Sequence, residues 1–421
     1  MKGGQPGTGL DLDRLTEEID ERLGAADAAL AHAYPGERAG RQPVHTVYVP
    51  ADRFHAGLVA DHGTEALRAT HVHEAMLLEI IGGDGDLLRR VRDKLGREPV
   101  EDLRIDFEDG YGARSDEEED RAVESAARDL RAALADGSAP LGTGIRFKSL
   151  ERPTRRRGLR TLGLFVAALT HGGPLPDGFV VTLPKVTSVD QVQALVHVAG
   201  RLEGGLGLAA GSLRFELQVE TPQSILGPDG TALVARMIHA SDGRCTGLHF
   251  GTYDYSASCG IAAAHQSLEH PAADHAKAVM QAAAAGTGVR LSDGSTNVLP
   301  VGLPDQVGAA WQNHLRLVRR SLERGYYQGW DLHPAQLPTR YAATFAFFRD
   351  GLPAAAARLR DYLGRRETAV LDEPATARAM ADFVLRGLDC GAVSADEVAA
   401  AGLVDVHVLA GLAHRTTETE G

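Results

Sequence analysis

The chain has 421 residues, of which 43% are hydrophobic and 24% charged, and these proportions are typical of a globular protein with room for a large barrel or two domains. Its formal charge of -13 argues against nucleic acid or an anionic membrane as the main partner, because both need a basic face. The three cysteines have no paired spacing, and the N-terminus has no apolar signal region. We therefore expect a soluble protein in the reducing cytoplasm.

The elements predicted along the chain divide it into three parts. Residues 1–40 are expected to form a Gly-rich tail and a charged helix, and residues 342–421 a helical C-terminal lid or oligomerisation segment without strands. Between them, residues 41–341 alternate strand-like and helix-like stretches, which predicts a (β/α)8 TIM barrel as the catalytic domain. The eight strand-like runs cover residues 45–51, 102–110, 144–150, 178–186, 214–221, 245–254, 296–303 and 329–334.

Ionisable residues terminate nearly every predicted strand. The fifth run, RFELQVET, alternates apolar and polar residues, so that Glu216 and Glu220 lie on one acidic face. In TIM barrels the functional groups lie at the C-terminal ends of the strands, so we expect these ionisable side chains to meet there. They are Asp52, Arg53, Glu108, Asp109, Arg146, Lys148, Lys185, Glu220, Asp254 and His333.

Glu220 and Asp254 close consecutive predicted strands, so a barrel would place their carboxylates side by side. Two adjacent carboxylates repel each other unless a positive charge lies between them. Magnesium suits this arrangement, because it takes one or two carboxylates and leaves its other positions to water and substrate oxygens. The alternative is structural, with Glu220 capping the next helix and Asp254 paired with an arginine.

Seven strand-end motifs make the chain recognisable. In order, VYVPADR, IDFEDGYG, RFK, LPKV, VETP, FGTYDY and DLHPAQ resemble the citrate lyase beta-subunit-like branch of the HpcH/HpaI aldolase superfamily. The resemblance covers about Val44 to Leu337. It implies a TIM barrel of the phosphoenolpyruvate/pyruvate-binding type with a C-terminal helical lid.

The resemblance also implies roles for five residues at the strand ends. Glu220 and Asp254 match the two ligands of Mg²⁺, for which Mn²⁺ is the alternative ion, and Glu108 and Asp109 match an acidic pair that holds metal-bound water. Arg146 matches the arginine that neutralises the carboxylate and the developing enolate of a 2-keto acid, a task that suits a planar guanidinium. The alternatives are structural, with Glu108 and Asp109 in a solvated turn and Arg146 paired with one of these two carboxylates.

Four further residues are candidates for substrate contact or catalysis. Arg53, Lys148 and Lys185 are expected near the substrate, although Lys185 could equally form a structural ion pair and Lys148 replaces an asparagine of the family pattern. Asp372, in AVLDEPATARAM, matches the catalytic acid/base that a neighbouring subunit's lid delivers. The alternative for Asp372 is a helix N-cap, and the catalytic role requires a homo-oligomer, a trimer or hexamer.

The expected function is a magnesium-dependent carbon-carbon lyase or aldolase that acts on a 2-keto acid or its 3-hydroxyacyl adduct through an enolate. The long segment at 55–105, an insertion relative to the family, leaves open whether the partner is a free acid or a coenzyme A thioester. An arginine cluster after the third strand could hold the phosphates of an acyl-CoA or simply be a solvated loop. The cluster consists of Arg152, Arg155, Arg156, Arg157 and Arg160. Two rival functions stay open, a metal-free aldolase with a Schiff base on Lys148 or Lys185, and a barrel that binds a keto acid or acyl thioester without catalysis.

Overall fold

The structure, a computed structural model, describes residues 11–38, 40–364, 373–403 and 405–413. Eight parallel strands form one sheet in the order β7-β6-β5-β4-β3-β2-β1-β8, and a parallel bridge between Ser292 and Gln328 closes it into a barrel. The predicted TIM barrel is therefore confirmed. The strands are β1 (His45–Pro50), β2 (Asp102–Asp106), β3 (Gly142–Arg146), β4 (Phe179–Leu183), β5 (Arg214–Val219), β6 (Cys245–Phe250), β7 (Arg290–Ser292) and β8 (Gly329–Asp331).

Sixteen α-helices precede, surround and follow the barrel within the described ranges. Three of them, α2 to α4, form the first crossover and account for the long segment at 55–105. The helices before and within the barrel are α1 (Leu12–Ala33), α2 (Leu58–Val72), α3 (Glu74–Ile80), α4 (Gly85–Arg97), α5 (Asp116–Asp136), α6 (Arg155–Thr170), α7 (Val189–Leu206), α8 (Pro222–Ile225), α9 (Leu233–His239), α10 (Thr252–Ser258), α11 (Pro271–Ala284) and α12 (Pro304–Glu323). Those after it are α13 (Leu337–Leu363), α14 (Pro374–Asp389), α15 (Ala395–Ala400) and α16 (Val406–Leu412). None of the described helices is long and apolar enough to cross a membrane.

The main hydrophobic core lies between the strands and the surrounding helices. Val47, Ile105 and Val181 pack there with at most 1% of their surface exposed. Because side chains alternate along a strand, the residues between them point into the barrel, and many of these are polar, such as Arg104 and Glu216. The interior of this barrel is thus a charged network, whereas branched apolar side chains usually fill such barrels.

The predicted seventh strand was wrong. The run TNVLPVGL at 296–303 is a loop, and β7 lies earlier, at Arg290–Ser292. Pro300 interrupts this run, and Val298, Val301 and Leu303 are 47, 47 and 69% exposed, so its apolar residues contribute to no sheet.

The C-terminal helices form a second, smaller core and lie at the N-terminal end of the barrel. Arg386 of α14 donates to Gln42, which precedes β1, at 2.6 Å, and Glu397 of α15 accepts from Arg90 of α4 at 2.7 Å. The described part of 342–421 is helical, and it does not cover the opposite end of its own barrel. The predicted boundary between residues 341 and 342 falls inside α13, which starts at Leu337.

Candidate active site at the barrel mouth

The C-terminal ends of β2 to β6, which we call the mouth, bring most of the predicted residues together. Glu108 and Asp109 follow β2, Arg146 ends β3 and Lys185 follows β4. Glu220 follows β5, and Asp254 lies in the first turn of α10, directly after β6. Parallel strands of one barrel end on the same side, which is why residues far apart in the sequence meet here.

Lys185 lies at the centre of the mouth. Its Nζ is 2.5 Å from Glu108 Oε1, 2.7 Å from Asp109 Oδ2 and 3.3 Å from Asp254 Oδ2. Its backbone N–H donates to Glu220 Oε1 at 2.7 Å. Its φ of 52° lies in the left-handed region that non-glycine residues rarely adopt, and such strain is common at functional sites. One residue therefore contacts all four mouth carboxylates.

Glu220 is held in a tight, buried position. Its side chain accepts from Gln218 Nε2 as well as from the Lys185 backbone, and the residue is 1% exposed. Gly251 packs so closely that a Cβ at that position would clash with the Glu220 Cβ and lie 2.7 Å from its Oε2. Burial raises the pKa of Glu220 to about 8, and the negative charges of Asp254 and Glu108 add to the shift against the opposing effect of Lys185.

Arg146 has a fixed orientation that involves a residue missed by the sequence analysis. Its Nε and Nη2 donate to the two oxygens of Asp106 at 2.7 and 2.6 Å, while Nη1 lies 3.2 Å from Gln218 Oε1 and 3.4 Å from Glu108 Oε2. The guanidinium also lies over the Tyr48 ring, 5.0 Å from its centroid. A signal for Asp106 was present, because Asp102, Arg104 and Asp106 occupy alternate positions of β2.

The mouth charges shift one another's proton equilibria. Burial raises the pKa of Glu108, although Arg146 and Lys185 counteract it. Burial lowers the pKa of Lys185, but the nearby Glu220 and Glu108 charges outweigh this effect and raise it above its usual value. For Asp109, the hydrogen bond from Lys185 overcomes the effect of burial and lowers the pKa. Lys185 is consequently a stable ammonium ion in this arrangement.

Other predicted residues have different surroundings. Lys148 Nζ donates to Glu119 Oε2 of α5 at 2.6 Å and to the Phe107 carbonyl at 2.7 Å, and Arg53 is exposed in the turn after β1. His333 accepts from its own helical turn, at the backbone N–H of Ala335. Asp372 lies outside the described residues.

The arginine cluster after β3 is partly neutralised. Arg157 and Arg160 of α6 bind Asp120 of α5 at 2.7 and 2.6 Å, and Arg155 donates to the Leu150 carbonyl. Arg152 and Arg156 are exposed, so the basic surface is smaller than the sequence indicated.

The mouth has the donor set for a hard divalent ion. Glu220 and Asp254 supply carboxylate oxygens, which magnesium prefers, and Glu108 and Asp109 adjoin them through Lys185. In the described ranges no three His, Cys, Asp or Glu side chains are arranged around one preformed ion position. The Lys185 ammonium lies among the carboxylates that such an ion would contact, so the residues fit a divalent ion only if Lys185 moves aside.

The fold and the mouth define a (β/α)8 barrel with a carboxylate-rich site at the C-terminal ends of its strands. Residues 23–417 match the family described as "Domain of unknown function (DUF6986)", and the chain belongs to this family. No curated protein sequence matches the chain.

Three solved structures are similar to this chain to different degrees. A citrate lyase from Burkholderia xenovorans LB400 matches with a TM-score of 0.59 at 19% identity, over 87% of this chain and 97% of that chain. Malate synthase from Haloferax volcanii has a TM-score of 0.49 at 15% identity, over 87% and 98%. CitE from Mycobacterium tuberculosis, in complex with magnesium, acetoacetate and coenzyme A, has a TM-score of 0.48 at 17% identity, over 84% and 98%. The first of these confirms, at the level of the fold, the resemblance seen in the sequence motifs.

Proposed function

We propose that the protein is a magnesium-dependent carbon-carbon lyase or aldolase that acts on a 2-keto acid, or its 3-hydroxyacyl adduct, through an enolate. The observation that carries this proposal is the convergence of Glu108, Asp109 and Asp254 on one cationic position, with Glu220 bound to the backbone of the same lysine. A citrate lyase with the same fold and the seven strand-end motifs support the reaction class.

In this proposal Glu220 and Asp254 hold the magnesium ion, which supplies Lewis acidity to the carbonyl and carboxylate oxygens of the substrate. Arg146 orients the substrate carboxylate and stabilises negative charge as the enolate develops. Its bidentate contact with Asp106 supports this role, because the contact fixes the plane of the guanidinium before substrate arrives. Gln218 accepts from Arg146 and donates to Glu220, and so it fixes the positions of the two side chains relative to each other.

Asp372 is the proposed acid/base that moves the proton on the carbon next to the carbonyl. The described C-terminal helices lie at the end of the barrel opposite the mouth, with α14 bound to Gln42. This placement supports delivery of Asp372 from a neighbouring subunit, and hence a homo-oligomer, over delivery within one chain.

The charge state of the two lysines speaks against the Schiff-base alternative. A lysine must lose its proton to attack a carbonyl carbon, and enzymes usually lower its pKa for this purpose. Lys185 has three carboxylates within 3.3 Å and a raised pKa, and Lys148 is ion-paired with Glu119 at 2.6 Å. Neither lysine has the apolar or cationic surroundings that would favour the neutral amine.

Hydrogen exchange tests the proposal. The purified protein is incubated in heavy water with magnesium and pyruvate, or with acetyl-CoA and a keto acid, and the methyl protons are followed by NMR. We expect magnesium-dependent exchange into one of the two compounds and at least a hundredfold slower exchange for Glu220→Gln. Exchange into pyruvate would favour a free-acid aldolase, and exchange into acetyl-CoA an acyl-CoA lyase.

The matched control is Glu323→Gln, which makes the same substitution on an exposed turn of α12, and it should exchange at the rate of the original protein. Exchange that survives chelation of all divalent ions, or that is unaffected in Glu220→Gln, would contradict the proposal. Absence of exchange in the original protein with either compound would favour a barrel that binds without catalysis.

A further inference from the structure

A cavity of about 580 Å³ enters the barrel at its N-terminal end, opposite the mouth. Its wall consists largely of residues at or near the starts of strands, among them Gly142 of β3 and Arg290 of β7. The size is that of a pocket for a small-molecule ligand. In most barrels branched side chains fill this space, so its accessibility here needs a local cause.

Glycines are that cause. Gly142, Gly178 and Gly247 line the cavity and contribute no side chain to it. At Gly247 an added Cβ would lie 3.5 Å from the nearest atoms, among them the Arg290 carbonyl oxygen, so a methyl group fits there in ordinary van der Waals contact. At Gly142, by contrast, a Cβ would collide with the Asp102 carboxylate.

The inner end of the cavity, which we call its floor, is made by Asp102, Arg104, Glu216 and His249. Arg104 donates to both oxygens of Glu216 at 2.8 Å and to Asp102 at 2.5 Å. Trp330 Nε1–H can only donate, so His249 Nδ1 accepts from it, and His249 Nε2–H points to Glu216 at 3.0 Å. The charged groups of the floor therefore form their hydrogen bonds and ion pairs largely with one another.

The outer edge, which we call the rim, is different because it carries an excess of guanidinium groups. Arg38 is half-buried and, among the described residues, has no hydrogen-bond or ion-pair partner. Burial and then the positive charge of Arg214 lower its pKa. Arg290 donates to the carbonyl oxygens of Gly40 and Arg41, at 2.7 and 2.8 Å.

Acidic groups compensate Arg41, also on the rim, which is paired with Glu98 at 2.9 Å and with Glu101. Asp177 is the acidic residue that lines the cavity outside the floor, and neither it nor the other described acidic residues pair with Arg38. A basic rim is notable in a chain whose formal charge is -13. A desolvated guanidinium with open donors binds oxyanions well, because its planar fork matches phosphate and carboxylate geometry.

We propose that this cavity is a second ligand site, separate from the mouth, that binds a small multivalent oxyanion such as a phosphate, a diphosphate or a polycarboxylate, with Arg38 as its main contact. The anion lies at the rim, and the floor excludes a second charged group because its own donors and acceptors are engaged. The site does not depend on the reaction proposed for the mouth.

Anion binding to the full chain tests this site. Phosphate, pyrophosphate and citrate are titrated without magnesium at constant ionic strength, with chloride as the reference salt, by calorimetry and by thermal unfolding. We expect saturable binding of at least one of the three and a higher Tm in its presence. Arg38→Gln should weaken that binding at least tenfold, and Gly247→Ala, which narrows the cavity without a clash, several-fold.

Two controls separate this site from the mouth and from general charge effects. Arg236→Gln removes an exposed arginine that is paired with Asp229 outside the cavity and should bind like the original protein. Glu220→Gln changes the mouth and should also leave the affinity unchanged. Absence of saturable binding for all three anions, or equal affinity in Arg38→Gln and the original protein, would overturn the proposal.

Discussion

At the scale of single residues, the charge balance of the mouth depends on Lys185. Its ammonium compensates Glu108, Asp109 and Asp254, and its backbone N–H compensates Glu220. A divalent ion held by Glu220 and Asp254 would repel this ammonium and compete with it for the same oxygens. In the proposed magnesium site, the affinity for the ion would therefore depend on the competition between two cations and not on the carboxylates alone.

Replacement of Lys185 by methionine tests this competition. Lys185→Met removes the positive charge and keeps a long, flexible side chain, so we expect Mg²⁺ and Mn²⁺ to bind about tenfold more tightly, a gain of about 1.4 kcal/mol. The metal-free protein should lose stability, because the carboxylates then repel one another. Calorimetric titration and the Tm with and without metal measure the two effects.

Lys148→Met is the matched control for this experiment. Its ammonium contacts Glu119 and the Phe107 carbonyl, so the metal affinity should stay at the original value. If Lys185→Met bound metal no more tightly than Lys148→Met, the ammonium and the ion would not share a position.

Residue types at strand ends could be predicted, but their pairing could not. The rule that functional groups lie at the C-terminal ends of barrel strands identified Glu108, Asp109, Arg146, Lys185 and Glu220, which all meet at the mouth. The rule could not tell that Lys148, two positions after Arg146, turns to α5 and binds Glu119. The partner of a long side chain depends on packing between distant elements, and this is absent from the pattern of one strand.

At the scale of elements, the turn between β6 and α10 shapes the mouth. Gly251 in this turn donates its N–H to the Val219 carbonyl at 2.9 Å, so its backbone is fixed against the end of β5. The missing Cβ leaves the space in which the Glu220 side chain lies. The glycine in FGTYDY is therefore needed because a larger residue would occupy the space of Glu220 at the end of the neighbouring strand.

Gly251→Ala tests this close approach. We expect the free energy of unfolding to fall by about 1–3 kcal/mol, because the added methyl group forces a shift in a well-packed region. The affinity for magnesium should also fall about tenfold, since Glu220 must move. Urea unfolding and calorimetric titration measure these changes.

A suitable control is Gly200→Ala in α7, where an added Cβ meets nothing within 4 Å and alanine favours the helix. It should be at least as stable as the original protein. An unchanged metal affinity in a folded Gly251→Ala protein would show that Glu220 is not a ligand or that the turn adapts.

The mistaken seventh strand shows the limit of apolar patterns at this scale. β7 has three residues and too little alternation to be recognised, whereas the more apolar run at 296–303 is a loop in which Val298, Val301 and Leu303 are exposed. A strand is defined here by its neighbours, since Leu248 and His249 of β6 pair with Leu291 and Ser292. Such pairing is a long-range contact that no local window contains.

At the scale of the whole molecule, the barrel is closed at its shortest strands. β7 and β8 have three residues each and share one bridge, so side chains must support the closure. Asp331 at the end of β8 does so, because its carboxylate accepts from His45 Nδ1 of β1 at 2.8 Å and from Arg340 of α13 at 3.0 Å, and lies 3.1 Å from His314 Nε2 of α12. One buried carboxylate therefore links two strands and two helices.

Asp331→Asn should consequently affect the stability of the entire barrel and its dependence on pH. Burial opposes the charge of Asp331, but Arg340 and the two histidines lower its pKa well below the usual value. A lowered carboxyl pKa means that the stabilisation is complete above the pKa of the unfolded chain, about 4, and is lost as the pH falls below it. At pH 7 we expect the variant to lose about 3–5 kcal/mol, because Arg340 is left without its charge partner in a buried site. Urea unfolding at several pH values should show this difference shrinking below about pH 4.

Asp350→Asn, at an exposed pair with Arg319, is the control and should differ from the original protein by less than about 1 kcal/mol at every pH. If the Asp331→Asn difference stayed constant through the acid range, the carboxylate would stabilise the closure by shape and hydrogen bonding rather than by its charge.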